Sequence, residues 1–397
     1  MLRLPSFRLL RPRSLAEAVR LLAEEGAGEE QPVRLVAGGT DLWPNMKRRN
    51  QKAATVISLM GVPELAGIRG GHEGSAGDSG HGTNGSHGAR PAHHGVSLAG
   101  GAGAAAGDPP GSSAALRIGA TTLLDTVARD PRIVTGFPAL ATAVAAISSP
   151  PLRNMGTLGG NLCLDTRCTY YNQTEEWRRS IDYCMKEEGS ICWVATSSPR
   201  CWAHSASDAA PMLCALGAAV RLAGTGGERE LPLADLYRDD GIDYLTRRPD
   251  EILTEVALPA TSAAGRCHTA FWKLRRRGSI DFAVLSVAAA VWTDDAGMVT
   301  AARLYLGAVG SWPIAATAAA DLLIGQPLRA LAGSADLLAA AGRAARKVAT
   351  PMDNTDFQAQ WRGVMAARYT EAALRQLAGG EPQLLAPRHP LLQPAAG

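Results

Sequence analysis

The chain has 397 residues, 46% of them apolar and 19% charged, and a net charge of +3. That length allows two or three domains with sizeable cores. The small charge, with no basic stripe interleaved with aromatics, argues against nucleic acid as a partner, and no run approaches the roughly eighteen apolar residues that span a bilayer.

The N-terminus, MLRLPSFRLLRPRS, is basic but lacks the apolar core and small-residue cleavage pattern of a signal peptide. The sequence therefore reads as cytoplasmic. Seven cysteines, an odd number, argue against a disulfide framework and for reduced thiols.

Ser14-Leu-Ala-Glu17 reads as a capping box, with Ser14 as N-cap and Glu17 reaching back to it. Leu15, Ala18, Val19 and Leu22 then mark one helical face, and Gly26 is a natural stop. Val33 to Ala37 reads as a buried strand, followed by the turn at Gly38 and Gly39, and Thr55 to Ser58 as another strand. Residues 70–114 hold His72, His81, His87, His93 and His94 among glycine, alanine and serine, and read as a flexible insertion that buries too little to order itself. Leu116 to Thr122 is a strand leading to a helix capped near Thr121 or Thr122, and Phe137 to Ile147 is a second helix. A helix near Ala209 to Leu216 and a strand from Ile252 to Leu258 follow.

A new unit begins near 265. Phe282 to Thr293 and Val299 to Val309 form a hairpin about Asp294-Asp-Ala-Gly297, followed by helices over Ala315–Leu323, Ala335–Lys347 and Asp356–Leu377. The fold class is α+β. The expected domains are 1–260, with the insertion 70–114 and a cysteine loop 164–204, then 265–380 and an extended tail 381–397.

Two constellations carry chemistry. Glycine pairs at Gly38, Gly39 and at Gly159, Gly160 let successive backbone N–H groups converge on an anion, and together they can cradle a pyrophosphate. Neither is a GxGxxG fingerprint. The second constellation is Cys168, Cys184, Cys192 and Cys201, separated by fifteen, seven and eight residues among Arg167, Glu175, Arg178, Lys186 and Glu187. Four thiolates in so polar a segment suggest a zinc or 4Fe-4S cage, and the spacing leaves both open. Cys163, Cys214 and Cys267 read as core residues. Lys273 heads a cationic run that ends at Gly278, and Asp208 reads as a helix cap. No acid–base or nucleophilic constellation emerges.

The stretch Leu35, Val36, Ala37, Gly38, Gly39, Thr40, Asp41, Leu42 and the stretch Arg153 to Asn161 resemble the two FAD-binding segments of the flavoprotein subunits of molybdenum hydroxylases, the xanthine dehydrogenase family. Leu116 to Thr122 resembles that family's intervening strand. The resemblance implies a two-part FAD-binding domain of the PCMH type and a C-terminal domain of the CO dehydrogenase flavoprotein type. About forty residues, 164–204, are inserted where most members run almost directly to a Ser-Asp element. That insertion and its cysteine spacing are similar to those of the beta subunits of 4-hydroxybenzoyl-CoA reductases. The resemblance moves the cage from undecided to 4Fe-4S, ligated by the four cysteines. It implies FAD contacts at Leu35 to Leu42, at Thr157, Leu158, Gly159, Gly160 and Asn161, and at Asp208, Leu253 and Lys273. It also implies partners: a molybdopterin-binding large subunit, a 2Fe-2S small subunit, and reduced ferredoxin as electron donor, in a dimer of heterotrimers. The alternative is the FAD subunit of an oxidative hydroxylase that passes electrons outward.

Overall fold

The structure is a computed structural model and describes residues 2–26, 32–70, 114–262 and 267–381. It is α+β, built on three sheets. The first contains β1 (Arg8–Leu10), β2 (Val33–Val36) and β3 (Thr55–Ser58), all parallel, with β3 in the middle. The helix Leu15–Gly26 covers it and buries Ala18 and Leu22 against Ile57, Leu59 and Leu65. Ser14 Oγ accepts from the Glu17 N–H at 3.2 Å, as a capping box requires. The Glu17 carboxylate reaches one residue further back than expected, to the Arg13 N–H at 2.8 Å. β2 was expected to be buried; it is an edge strand with only Val36 fully covered, because its open side faces a cavity.

The second sheet is antiparallel. It contains β4 (Ile68–Gly70), β5 (Ala114–Gly119), β6 (Ala219–Gly224), β7 (Gly227–Pro232) and β8 (Ile252–Pro259), in the order β4-β5-β8-β6-β7. β8 is buried along its whole length. The helices Leu124–Arg129, Pro138–Ala145 and Ala209–Ala215 pack on the sheet through Val127, Leu140, Val144 and Leu213. Thr121 and Thr122 do not cap the first of these. Their hydroxyls donate instead to the carbonyls of Leu65 and Gly67, at 2.9 and 3.0 Å, and Leu123 holds the cap position without a side-chain bond. The histidine-rich segment expected at 70–114 lies almost entirely outside the described residues, as does the tail beyond Glu381. The strands that flank it pair with each other, Ile68 opposite Ile118 and Gly70 opposite Leu116.

The third sheet contains β9 (Cys267–Leu274), β10 (Leu285–Thr293), β11 (Val299–Gly307) and β12 (Ile314–Ala315), antiparallel in the order β12-β11-β10-β9. The hairpin at Asp294 forms as expected, with the Asp294 carboxylate accepting from the N–H groups of Ala296 and Met298. The helices Ala335–Val348 and Ala359–Leu377 cover one face; the helix expected over Ala315–Leu323 shortens to Thr317–Asp321. β10 explains how the two halves become one body. Side chains alternate across a strand, so Ala288 and Ala290 enter the core of the second sheet while Val287, Ala289 and Val291 enter that of the third. Among the described residues no helix is long and apolar enough to cross a membrane.

Candidate functional site

The two glycine turns meet. Gly38 packs so closely on the second turn that a Cβ there would stand 1.7 Å from the Met155 carbonyl oxygen. Gly39 adopts φ +70°, a conformation other residues rarely hold, and a Cβ on it would strike the Trp43 indole. On the far side, Thr157 caps the short helix Leu158–Leu162, its hydroxyl accepting from the Gly160 N–H at 3.2 Å. Gly159 lies flat against Ala120, with its N–H donating to the Ala120 carbonyl at 2.8 Å.

Between the turns opens a cavity of about 330 Å³. All eight residues from Leu35 to Leu42 line it, as do Thr157, Gly159, Gly160, Asn161 and Leu253. Leu158 does not line it; its side chain is fully buried in the core, and it supports the turn through its N–H on the Thr122 carbonyl. Asn161 ties the turn to the helix that follows Asp208, its Oδ1 accepting from the Ser207 hydroxyl and the Ala209 N–H. Burial pushes the Asp41 carboxyl above its ordinary value, against the pull of the paired Arg167 guanidinium.

Asp208 and Lys273 lie off the cavity lining and pair with each other. Lys273 Nζ is 2.7 Å from Asp208 Oδ2, and both side chains are buried. The ammonium also donates to the carbonyls of Ala146 and Asp281. Asp208 was expected to cap the helix Ala209–Ala215. Its side chain makes no cap bond, and Ser207 Oγ accepts from the Ala210 N–H instead. Lys273 points inward from β9, so it does not belong to the exposed cationic run at Arg276 and Arg277.

Sequence reasoning missed Asp165, Tyr244, Arg247 and Phe282, which reach the cavity from distant segments. Cys163, expected in the core, also lines it. None of these carries a local signal, because each arrives by tertiary folding.

The cysteine segment folds around a fully buried guanidinium. Arg178 donates to Glu187 at 2.6 and 3.1 Å, to Glu175 at 2.6 Å, and to the carbonyls of Gln173 and Arg48. All five of its N–H donors have partners, which is how so polar a loop packs. Asn354 staples the loop to the C-terminal half, accepting from the Thr169 N–H and donating to the Trp202 carbonyl.

Cys168, Cys184, Cys192 and Cys201 are all buried and line one small second cavity with Tyr171, Lys186 and Trp193. None forms a disulfide. The Ala203 backbone N–H donates to the Cys201 sulfur at 3.4 Å, and the Tyr171 N–H goes to the Cys168 carbonyl at 3.1 Å. Burial pushes the Cys168 thiol up to about 12 and the Cys201 thiol up to about 11, and it raises Cys184 too, against the opposing charge of Lys186 at Cys184 and Cys201. Among the described residues no three His, Cys, Asp or Glu side chains stand close enough to chelate one metal ion.

The family described as the FAD binding domain in molybdopterin dehydrogenase matches residues 5–76 and 111–261. The chain belongs to that family. The CO dehydrogenase flavoprotein C-terminal domain matches residues 269–377 of this FAD-binding subunit. Among curated proteins it is similar to the nicotinate dehydrogenase FAD-subunit of Eubacterium barkeri, 26% identical over 81% of each chain. It is also similar to the carbon monoxide dehydrogenase medium chain of Hydrogenophaga pseudoflava, 23% identical over 93% of this chain and 96% of that one. A solved carbon monoxide dehydrogenase from Hydrogenophaga pseudoflava shares the fold at a TM-score of 0.66 and 23% identity, over 94% of this chain and 97% of that one. The chain is thus an FAD-binding oxidoreductase subunit of the molybdenum hydroxylase family, with the two-domain α+β architecture of a CO dehydrogenase medium chain.

Proposed function

We propose that this FAD subunit carries a 4Fe-4S cluster on Cys168, Cys184, Cys192 and Cys201 and uses it as a second electron port. The observation that carries the reading is the convergence of all four thiols on one buried cavity next to the flavin-family cavity. Tetrahedral zinc, with bonds of about 2.3 Å, needs its sulfurs within roughly 4 Å of one another. A cubane cluster has one iron per thiolate and spaces them more widely. An N–H directed at sulfur, as the Ala203 N–H is at Cys201, is one of the means by which proteins tune such clusters.

FAD supplies the redox chemistry when bound; the chain binds and orients it. Leu35 to Leu42 and Thr157 to Asn161 would hold it, Leu158 through backbone alone, with Leu253 as an apolar contact. Asp208 and Lys273 would act from behind, fixing the wall that the helix Ala209–Ala215 supports.

In the finer reading the chain is the beta subunit of a 4-hydroxybenzoyl-CoA reductase. Electrons from reduced ferredoxin would enter at the cysteine cage and leave toward a 2Fe-2S subunit and a molybdopterin subunit, in a dimer of heterotrimers. The four-cysteine spacing supports this. A second reading is favoured by the relatives, whose names are those of dehydrogenases: an oxidative hydroxylase subunit that passes electrons outward through the same groups. Anaerobic rapid mixing of the purified complex separates the two. Flavin reduction by reduced ferredoxin, with aromatic-CoA dehydroxylation, supports the reductase. Flavin reduction only by an oxidisable substrate, with ferredoxin inert, overturns it in favour of the oxidative enzyme.

A further inference from the structure

The two cavities share a wall, and the wall holds an ion pair. Lys186 lines the cysteine cavity; Asp165 lines the larger one. Lys186 Nζ is 2.7 Å from Asp165 Oδ1, with side chains only 5% and 10% exposed. The other two ammonium protons go to Thr166 Oγ1 at 2.6 Å and the Gly241 carbonyl at 2.5 Å, so the cation is held in one place. Gln51 fixes the second carboxylate oxygen at 2.9 Å. The ammonium sits 5.1 Å from the Tyr171 ring, on the cysteine side, and 5.5 Å from the Tyr244 ring, on the other.

A buried pair of this kind contributes little net stability compared with an apolar replacement. Its sign and orientation are what it offers. Water is excluded, so the field of each charge is screened far less than at the surface.

We infer that Lys186 and Asp165 are positioning residues that set the redox gap between the two cofactor sites, the cationic end favouring reduction at the cysteine cage and the anionic end disfavouring reduction in the FAD cavity. The inference rests on the proposed cluster. Each electron added to a cluster makes it more negative, so the nearby ammonium stabilises the reduced state. The carboxylate, one bond length behind it, partly cancels this at the cage and acts most strongly on whatever accepts an electron in the larger cavity.

The test is a redox titration of the anaerobically purified complex, with the cluster followed by low-temperature EPR and the flavin by absorbance. Lys186→Met should lower the reduced-to-oxidised ratio of the cluster at fixed potential about tenfold, which is about 59 mV for one electron. Asp165→Asn should move it the opposite way and make the flavin easier to reduce; it keeps the shape of the wall and carries the comparison independently. Lys186→Arg should stay close to wild type. A purely structural pair would change iron or flavin content without opposite-signed shifts. Unchanged midpoints in both neutral variants at full iron and FAD content, or shifts of the same sign, overturn the inference. A wild-type complex with FAD but no 4Fe-4S signal refutes the cluster reading itself, before any variant is compared.

Discussion

Gly38 and Met155 belong to different glycine turns, yet the α-carbon of one rests on the carbonyl of the other, leaving no room for a single methyl group. This contact fastens together the two turns that line the FAD-family cavity. It also gives the two turns, far apart in sequence, a single function.

Gly38→Ala should therefore lose FAD. Forcing a Cβ to 1.7 Å from a backbone oxygen separates the turns, and overpacking of this sort costs about 1–3 kcal/mol or more. At limiting FAD the occupancy should fall about tenfold or more, read as flavin absorbance per chain. Gly160→Ala, whose Cβ would meet only the Thr157 hydroxyl at 3.0 Å, should retain much more.

Lys273→Met should destabilise the whole body, because Asp208 stays buried without the cation it is bonded to. Breaking a buried pair from one side costs about 3–5 kcal/mol. Asp208 Oδ1 already lacks a hydrogen-bond partner, and Arg275 acts on the carboxylate only through its charge. Urea unfolding should show a lower midpoint, and Lys273→Met with Asp208→Leu should recover part of the loss.

Arg178→Met should act locally. It leaves Glu187 buried without its guanidinium partner, while Glu175 keeps the Tyr183 hydroxyl and Arg179, and the cysteine loop should lose its core. The expected outcome is protease cleavage between residues 168 and 201 and a lower iron-to-flavin ratio, with FAD content retained.

His204 makes the stability pH-dependent. Burial holds its imidazole down at about 4, from an ordinary value of 6.5, and its Nδ1 faces the Ser205 carbonyl at 2.9 Å. Between those values the unfolded chain takes up a proton that the folded chain refuses. The contribution is fully present above about pH 6.5 and is lost as the pH falls to about 4, by roughly 3 kcal/mol in all. His204→Gln should flatten the unfolding midpoint over that window relative to wild type.

The glycine turns were legible because backbone geometry demands glycine there, whatever the rest of the chain does. The hairpin at Asp294 was legible for the same local reason. The cysteines were legible as a group only because thiols are rare among charges. What could not be read was pairing across distance. Asp208 has the sequence context of a helix cap, and only β9, missed as a strand, brings Lys273 to it. Lys186 and Asp165 look like ordinary loop charges until folding sets them in one wall. β2 has the composition of a buried strand because it borders a cavity rather than solvent.

The central claim is that four cysteines add an iron–sulfur centre to an FAD subunit. Metal analysis of the anaerobically purified complex, compared between wild type and Cys184→Ser and joined to EPR after dithionite reduction, tests it most directly. The account expects wild type to hold about four more iron atoms per FAD than the variant, and a 4Fe-4S signal that the variant lacks, with equal FAD in both. Equal iron in the two proteins, or zinc in the cysteine cavity of the wild type, would contradict it.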